Sequence, residues 1–356
     1  MTPHFCPNAS CRFHRSPQGW SFKKKGFYTR RSAPRRIQRF LCSHCGRSFS
    51  TQTFLPSYWL RRADLYRALF WRILGCSALR QIAPEFGVSH TTVMRQVERL
   101  GRHCLLFHEA RRPRSPSEGL VLDGFRTLES GHYWPFDANL LVGSSHYVYG
   151  FNEAELRRSG TMRPGQRRWR AHLERRFGRP DPRATERAVT ELVGRVVPPG
   201  ARAEIWSDEH QSYPRGLRRL GDRTLAHATI SSRAARTSRN PLFPVNLADL
   251  LLRHASANHK RKTIAFSKRR QGAMYRLAIW AVWRNYVKWS SERTRGPTPA
   301  MQLGLLARPL AVRELLRERL FPSHHELAAW IRRCYERRIP TRRLPSGPLH
   351  APRYAY

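Results

Sequence analysis

The sequence predicts a multidomain α+β chain: a small cysteine-bearing module, an all-helical module, a mixed α/β domain and a basic, partly helical tail. Three observations predict it. Four of the seven cysteines fall in the first 45 residues. Three stretches of helical periodicity then run from Arg61 to Cys104. Beyond a Pro- and Arg-rich segment the pattern changes to apolar, strand-like runs separated by helical ones. At 356 residues the chain is long for one compact domain and suits two or three.

Composition narrows the class. Forty percent of residues are apolar, with 17 Phe, 12 Tyr and 10 Trp, which is enough to build cores and excludes a disordered basic tail. Lys and Arg number 66 against 24 Asp and Glu, a formal net charge of +42. Such self-repulsion points to a polyanionic partner, and nucleic acid comes first, because each neutralised phosphate releases condensed counterions. A packaging protein would share the charge, but such proteins are usually shorter and less aromatic. The basic residues are spread along the chain and not gathered on one amphipathic helix, which disfavours a membrane surface. The N-terminus MTPHFCPNASC lacks an apolar stretch, and LAIWAVW at Leu277 to Trp283 is too short to span a bilayer. The expectation is a cytoplasmic, nucleoid-associated protein whose cysteines are metal ligands or core residues and not disulfides.

Residues 1–55 read as a zinc ribbon. Cys6 and Cys11 form CPNASC; Cys42 and Cys45 form CSHCGRSF. A C-x-x-C followed by Gly puts two thiolates on a tight knuckle. GFYTRR and QRFLC between the pairs look like short strands. The x4 spacing of the first pair is looser than x2, so His4 and His14 stand as alternative ligands. Four thiolates leave no open position, so the zinc would be structural.

Residues 60–107 read as a helix-turn-helix. ADLYRALFWRILG ends at Gly75, SALRQIAPEFG has Ser77 as N-cap and Gly87 in the turn, and VSHTTVMRQVERLGRHC starts from Ser89 with Val93, Val97 and Leu100 on one face. In such a motif the second helix enters the major groove of double-stranded DNA, which brings His90, Thr91, Thr92 and Arg95 to bases or phosphates. A packing-only helical hairpin is the alternative, and Pro84 would kink the helix before the turn. Residues 108–118 then read as a linker.

Residues 119–292 carry the chemistry. GLVLDGFRTLE is strand-like around Asp123, and NLLVGSSHYVYGF gives one or two further strands. A helix follows at about Arg183 to Val196, then a strand AEIWSD ending in Asp208, a strand LAHATI, and a helix containing Asp249. That order is the order of an RNase-H-like fold, in which acids lie on the first strand, just after the fourth strand and on a later helix. Clustered carboxylates suit hard Mg2+ or Mn2+, and two such ions activate the attacking oxygen and stabilise the leaving one in phosphoryl transfer. Asp123 as a strand-end residue and Asp208 as an N-cap are the structural alternatives.

The ribbon CP…C / CSHCGRSF, the motif LRQIAPEFGVSHTTVMRQ, VLDGF, IWSDEHQSY and the block NPLFPVNLADLLLRHASANHKRKTIAFSKRRQ together resemble bacterial insertion-sequence transposases with a zinc ribbon, a helix-turn-helix and a DDE catalytic domain. The resemblance covers roughly residues 1 to 290. It implies transposition, catalytic Mg2+ or Mn2+ on Asp123, Asp208 and a third acid, and a homodimer or larger assembly on the DNA ends. In that family a Glu opens the last helix, an Arg follows two turns later, and Arg-Lys-Thr and Phe-Ser come further on; Arg253 and RKTIAFS stand in those places. Counting back from RKT lands on Asn246. Positions 246, 249 and 253 share one helix face, so Asp249 presents a carboxylate one turn along. The alternatives are a plain Asp249–Arg253 pair, worth only ~0.3–0.5 kcal/mol, and a broken triad in a chain that binds DNA without cutting it. A stand-alone nuclease is a third reading.

Arg253, Lys260, Arg261 and Lys262 adjoin this helix and are expected on phosphates. The basic insert at 161–183 is expected as a surface excursion, and Trp280, Trp283, Tyr286 and Trp289 as a core helix. Residues 293–356 carry no chemical motif and read as a basic extension with two short helices. Nucleotide-binding glycine loops are absent from the sequence, so ATP use is not suggested.

Overall fold

The computed structural model describes residues 2–31, 33–345 and 349. It is a mixed α+β molecule with two sheets and, among the described residues, eleven α-helices.

The N-terminal sheet has three antiparallel strands, β1 (Phe22–Thr29), β2 (Arg36–Cys42) and β3 (Ser48–Ser50), in sequence order. Cys6, Cys11, Phe40, Cys42, Phe49 and Phe54 form its small core. Phe321, from far along the chain, completes it.

Three helices follow: α1 (Tyr66–Leu74), α2 (Leu79–Glu85) and α3 (His90–Arg111). Ser89 caps α3 by accepting a hydrogen bond from Thr92 N at 3.2 Å, as its side chain chemistry predicts. Ala78, not Ser77, occupies the cap position of α2, and Pro84 sits in that helix's last turn, one residue before its end. Val93, Val97 and Leu100 are all buried on one side of α3.

The second sheet holds β4 (Leu120–Leu128), β5 (Pro135–Gly143), β6 (Val148–Glu155), β7 (Arg202–Ser207) and β8 (Thr224–Thr229). Its order is β6-β5-β4-β7-β8. The first three strands pair antiparallel as hairpins, and β7 and β8 add parallel to β4. Between β6 and β7 lie α4 (Pro164–Phe177) and α5 (Ala184–Val196); α6 (Ser212–Arg218) bridges β7 and β8. The insert expected at 161–183 is therefore largely helix α4, which exposes most of its length and half of Trp169. Then come α7 (Phe243–Ala255), α8 (Arg270–Val282), and the short α9 (Pro299–Gln302), α10 (Val312–Leu315) and α11 (Ala329–Tyr335).

Two expectations change. Residues 108–118 are not a free linker. Helix α3 continues to Arg111, buried His108 reaches the Tyr149 carbonyl at 3.2 Å, and Glu109 is held by Arg112 and Arg195. Apolar continuation along LLFH keeps the helix going, because each turn finds a buried partner. Residues 293–345 are not a loose extension either. Trp330, Ile331 and Cys334 of α11 are buried in the same core as the sheet and α3. Residues 346–348 and 350–356 of the extension lie outside the described residues. Trp280 and Tyr286 are buried, as expected of a core helix, whereas Trp283 and Trp289 are half-buried and Trp289 lies past the end of the helical segment at Val287.

The helical module and the second sheet share one continuous core. At the crossing of α3 and α8, a Cβ on Gly101 would lie 2.3 Å from Tyr275 Cβ, so only glycine permits this approach. Among the described residues, no helix is long and apolar enough to cross a membrane.

A candidate carboxylate site and a candidate cysteine metal centre

The four cysteines converge. Their sulfurs all lie within 4.8 Å of one another, and the group could hold a metal ion such as zinc. Cys6 Sγ and Cys45 Sγ are 3.7 Å apart. The knuckle turns at Gly46, with φ +66°. The surrounding donors suit thiolates: Trp20 Nε1 donates to Cys42 Sγ at 3.3 Å, Cys45 N to the same sulfur at 3.5 Å, and Asn8 Nδ2 to Cys45 Sγ at 3.6 Å. Burial pushes the Cys42 thiol up, but the Cys45 and His44 amides and the Trp20 indole N–H outweigh it and bring it to about 6. Burial pushes Cys6 upward. Such outer donors orient and tune metal ligands. His14 is not a ligand: its Nδ1 donates to the Cys6 carbonyl at 2.7 Å and its Nε2 accepts from Ser323 at 2.6 Å. His4 is exposed, and the group closes without it.

The second site lies where β4 and β7 run side by side. Leu122 pairs with Ser207, so Asp123 and Asp208 each stand one residue past a paired position on neighbouring parallel strands. Helix α7, carrying Asn246 and Asp249, packs over β4 and β5. Asp123 Oδ1 accepts hydrogen bonds from Gly124 N at 2.7 Å and from the Tyr213 hydroxyl at 3.4 Å. Burial raises its titration, and the charge of Asp208 raises it further, against those two donors and Arg236. Asp208 accepts from His210 N at 2.9 Å. Burial pushes Asp249 up to about 8, with Asp123 adding to the effect, and its Oδ1 is buried without a hydrogen-bond partner.

Asp249 does not pair with Arg253. The Arg253 guanidinium donates to the His259 carbonyl at 3.0 Å and the Arg126 carbonyl at 3.4 Å, and lies over the Phe125 ring. In this chain most acids are gripped by arginine: Glu129 and Glu153 by Arg270, Glu155 by Arg342, Glu191 by Arg333. Among the described residues no ion pair reaches Asp123, Asp208 or Asp249. Arg236, Arg253 and Arg261 act on Asp249 only from beyond ion-pair distance, so three carboxylates without a salt bridge, in a chain of 66 Lys and Arg, form an acidic focus that a divalent cation would neutralise. Their oxygens do not close to mutual ligand distance as the cysteine sulfurs do. A pair of ions about 3.5–4 Å apart spreads its ligands over a wider span.

Sequence reasoning missed three neighbours. Asp137 on β5 has its carboxyl pushed up to about 7 by burial, with Arg126 opposing at 4.0 Å and Asp123 and Asp208 adding. Asn139 is fully buried, donates to Asn152 Oδ1 at 2.9 Å, and leaves its own Oδ1 without a partner. Tyr213 of α6 reaches Gly124 N at 3.0 Å as well as Asp123. A Cβ on Gly124 would stand 2.8 Å from Asn139 Oδ1, 3.3 Å from Asp137 Cβ and 3.4 Å from the Tyr213 oxygen, so glycine keeps this space open. The readable signal was an acid and an amide at i and i+2 in the apolar run PFDANLLVG.

The expected DNA-contacting residues separate into two groups. His90 and Arg95 are exposed at the start of α3, with Thr91 and Thr92 half-buried beside them and Thr92 spent partly on the cap. Lys260, Arg261 and Lys262 are exposed just past α7. Arg253 is half-buried and holds backbone instead. No protein-family model and no curated protein matches this chain.

Proposed function

We propose that the chain is a DDE-type DNA transposase of the insertion-sequence kind, with an RNase-H-like catalytic domain behind a zinc ribbon and a helix-turn-helix. The observation that carries the reading is the focus of Asp123, Asp208 and Asp249 without ion-pair partners. The strand order β6-β5-β4-β7-β8 supports it, with three antiparallel strands, two parallel ones and the acids at β4, after β7 and on α7. The orphaned Asp249 Oδ1 suits a hard-cation ligand set. Bound Mg2+ or Mn2+ would lower the pKa of the attacking water or hydroxyl and offset charge on the leaving oxygen.

The chain's own residues would do the rest. Asp123 and Asp208 are held by Gly124, Tyr213 and His210, so their oxygens are fixed before substrate arrives. Lys260, Arg261 and Lys262 take flanking phosphates, and the start of α3 reads the element end in the major groove. In the first step water oxygen bonds to phosphorus and the bond to the 3′ oxygen breaks, freeing a 3′-hydroxyl. That hydroxyl then attacks a target phosphate, forming one P–O bond and releasing a target 3′-hydroxyl. Two ends must meet, so a dimer or larger assembly is part of the proposal.

The test is cleavage and strand transfer with Mn2+ on a labelled element-end duplex, comparing the native chain with Asp208→Asn and Asp249→Asn and checking binding in parallel. Native cutting, with both variants binding but inert, is the expected result. If only Asp208→Asn is inert, Asp249 is not a ligand. Binding without any cutting would establish the second reading, a DNA-binding protein that has lost catalysis, which Asn246 favours by standing where the resembling family has Glu.

A further inference from the structure

A cleft of about 1190 Å³ opens between the N-terminal sheet and the start of the helical module, far from the carboxylates in sequence. Drug-sized ligands fill pockets of ~300–1,000 Å³, so this space suits something larger. Two aromatic rings stand at it. Tyr28, at the end of β1, is 38% exposed, and Trp59 is 65% exposed. Both faces of the chemistry then meet, because Arg31, Arg39 and Arg61 line the same cleft. The acid there, Asp64, is held by Arg62 at 2.9 Å, which leaves a cationic excess. Behind them, Arg99 and Arg319 lie over the buried Tyr58 ring at 4.1 and 3.6 Å and add positive charge to the floor.

Trp59 has a second peculiarity. Its backbone is left-handed, with φ 59°, a conformation that bulky residues rarely adopt. A non-glycine residue held there, presenting a large apolar ring to water, is a strained arrangement of the type that clusters at ligand clamps.

We propose that this cleft binds a short run of unpaired nucleotides, with bases stacked on Trp59 and Tyr28 and phosphates held by Arg31, Arg39 and Arg61. Exposed π-faces interleaved with guanidinium groups are the equipment of single-strand binding, where each base offers a face and the backbone follows a basic groove. A duplex hides those faces in its own stack and gains nothing from the two rings. The inference goes beyond the cleavage reading and does not need it: a catalytically silent chain would bind the same way.

The experiment uses the full chain without divalent metal and follows fluorescence anisotropy of a labelled oligothymidylate and of a blunt-ended, loop-free duplex of equal phosphate number. Both are titrated with salt to subtract the general attraction of a +42 chain. Trp59→Ala is expected to weaken single-strand binding roughly tenfold while leaving the duplex unchanged. Trp59→Phe keeps a ring and should retain most of the affinity, and Tyr28→Ala should lose affinity in the same sense as Trp59→Ala. Thermal melting of each variant checks that the exposed site has been changed without unfolding the ribbon. Unchanged single-strand affinity in Trp59→Ala, or equal losses for single strand and duplex, overturns the proposal. Cleavage is not read in this assay, so its outcome is separate from that of the transposase test.

Discussion

Asp249 and Asp137 carry the most direct residue-scale consequence. Burial raises both carboxyls, to about 8 and about 7, above their ordinary range. A carboxyl raised on folding contributes no difference while folded and unfolded states are both protonated. It destabilises the fold as pH climbs from its ordinary value, near ~4, through the folded value. The metal-free protein should therefore lose melting temperature progressively between about pH 4 and pH 8. A divalent cation prefers the ionised forms, so stabilisation by Mn2+ should grow over the same window. Asp249→Asn and Asp137→Asn should each flatten both trends. Calorimetry across pH, with and without Mn2+, checks this, and a Mn2+ effect independent of pH would remove these two acids from the ion's surroundings. Much of the candidate site was legible: Asp123, Asp208 and Asp249 stand out because carboxylates are scarce in the chain. Asp137 and Asn139 offered only an acid and an amide at i and i+2 of an apolar run; their place beside Gly124 was not legible, because cross-strand register is invisible in one strand's sequence.

At the scale of elements, alternation and capping signals carried far. Ser89 as a cap, β7 ending before Asp208 and α5 starting near residue 183 all follow from local chemistry that the surroundings do not override. The end of α3 does not, because only the partner surface decides whether an apolar turn after Cys104 continues as helix. That surface is α8, and Gly101 is where the two helices touch. Gly101→Ala should destabilise by about 1–3 kcal/mol, since the neighbouring contact is the Tyr275 backbone and Cβ and cannot swing away. Urea unfolding measures it; a neutral result would mean that the helices separate freely. Arg270 opens α8 with a different device. Its guanidinium is 6% exposed and donates to Glu129 at 2.7 and 3.0 Å and to Glu153 at 2.9 Å. Removing it strands two buried carboxylates. Arg270→Ala should cost about 3–5 kcal/mol, more than a surface pair is worth, and the same unfolding curves would register it.

At the scale of the molecule, the N-terminal sheet is tied to the far end of the chain. Phe321 packs in its core, Arg319 N and Nη1 donate to the Phe54 and Thr53 carbonyls at 2.8 and 3.1 Å, and Ser323 meets His14. Nothing local in the sequence announced this, because contacts across nearly 300 residues leave no periodic trace. A module with so few apolar residues usually needs a staple, and a metal such as zinc on the cysteine group would supply one. If the cysteine group holds zinc, withdrawing it should release two separated segments together, residues 1–55 and the stretch around 319–324, while the core shared by α3, α8 and the second sheet stays folded. Hydrogen exchange before and after chelation tests the coupling. Protection should fall in both segments and persist in α8. Cys42→Ser should reproduce the pattern without chelator, and Phe321→Ala should weaken metal retention from the opposite side of the core. If the 319–324 segment kept its protection while the N-terminal sheet exchanged freely, it would be anchored by contacts outside that sheet, the Arg319–Tyr58 contact among them, and the two ends of the chain would unfold independently.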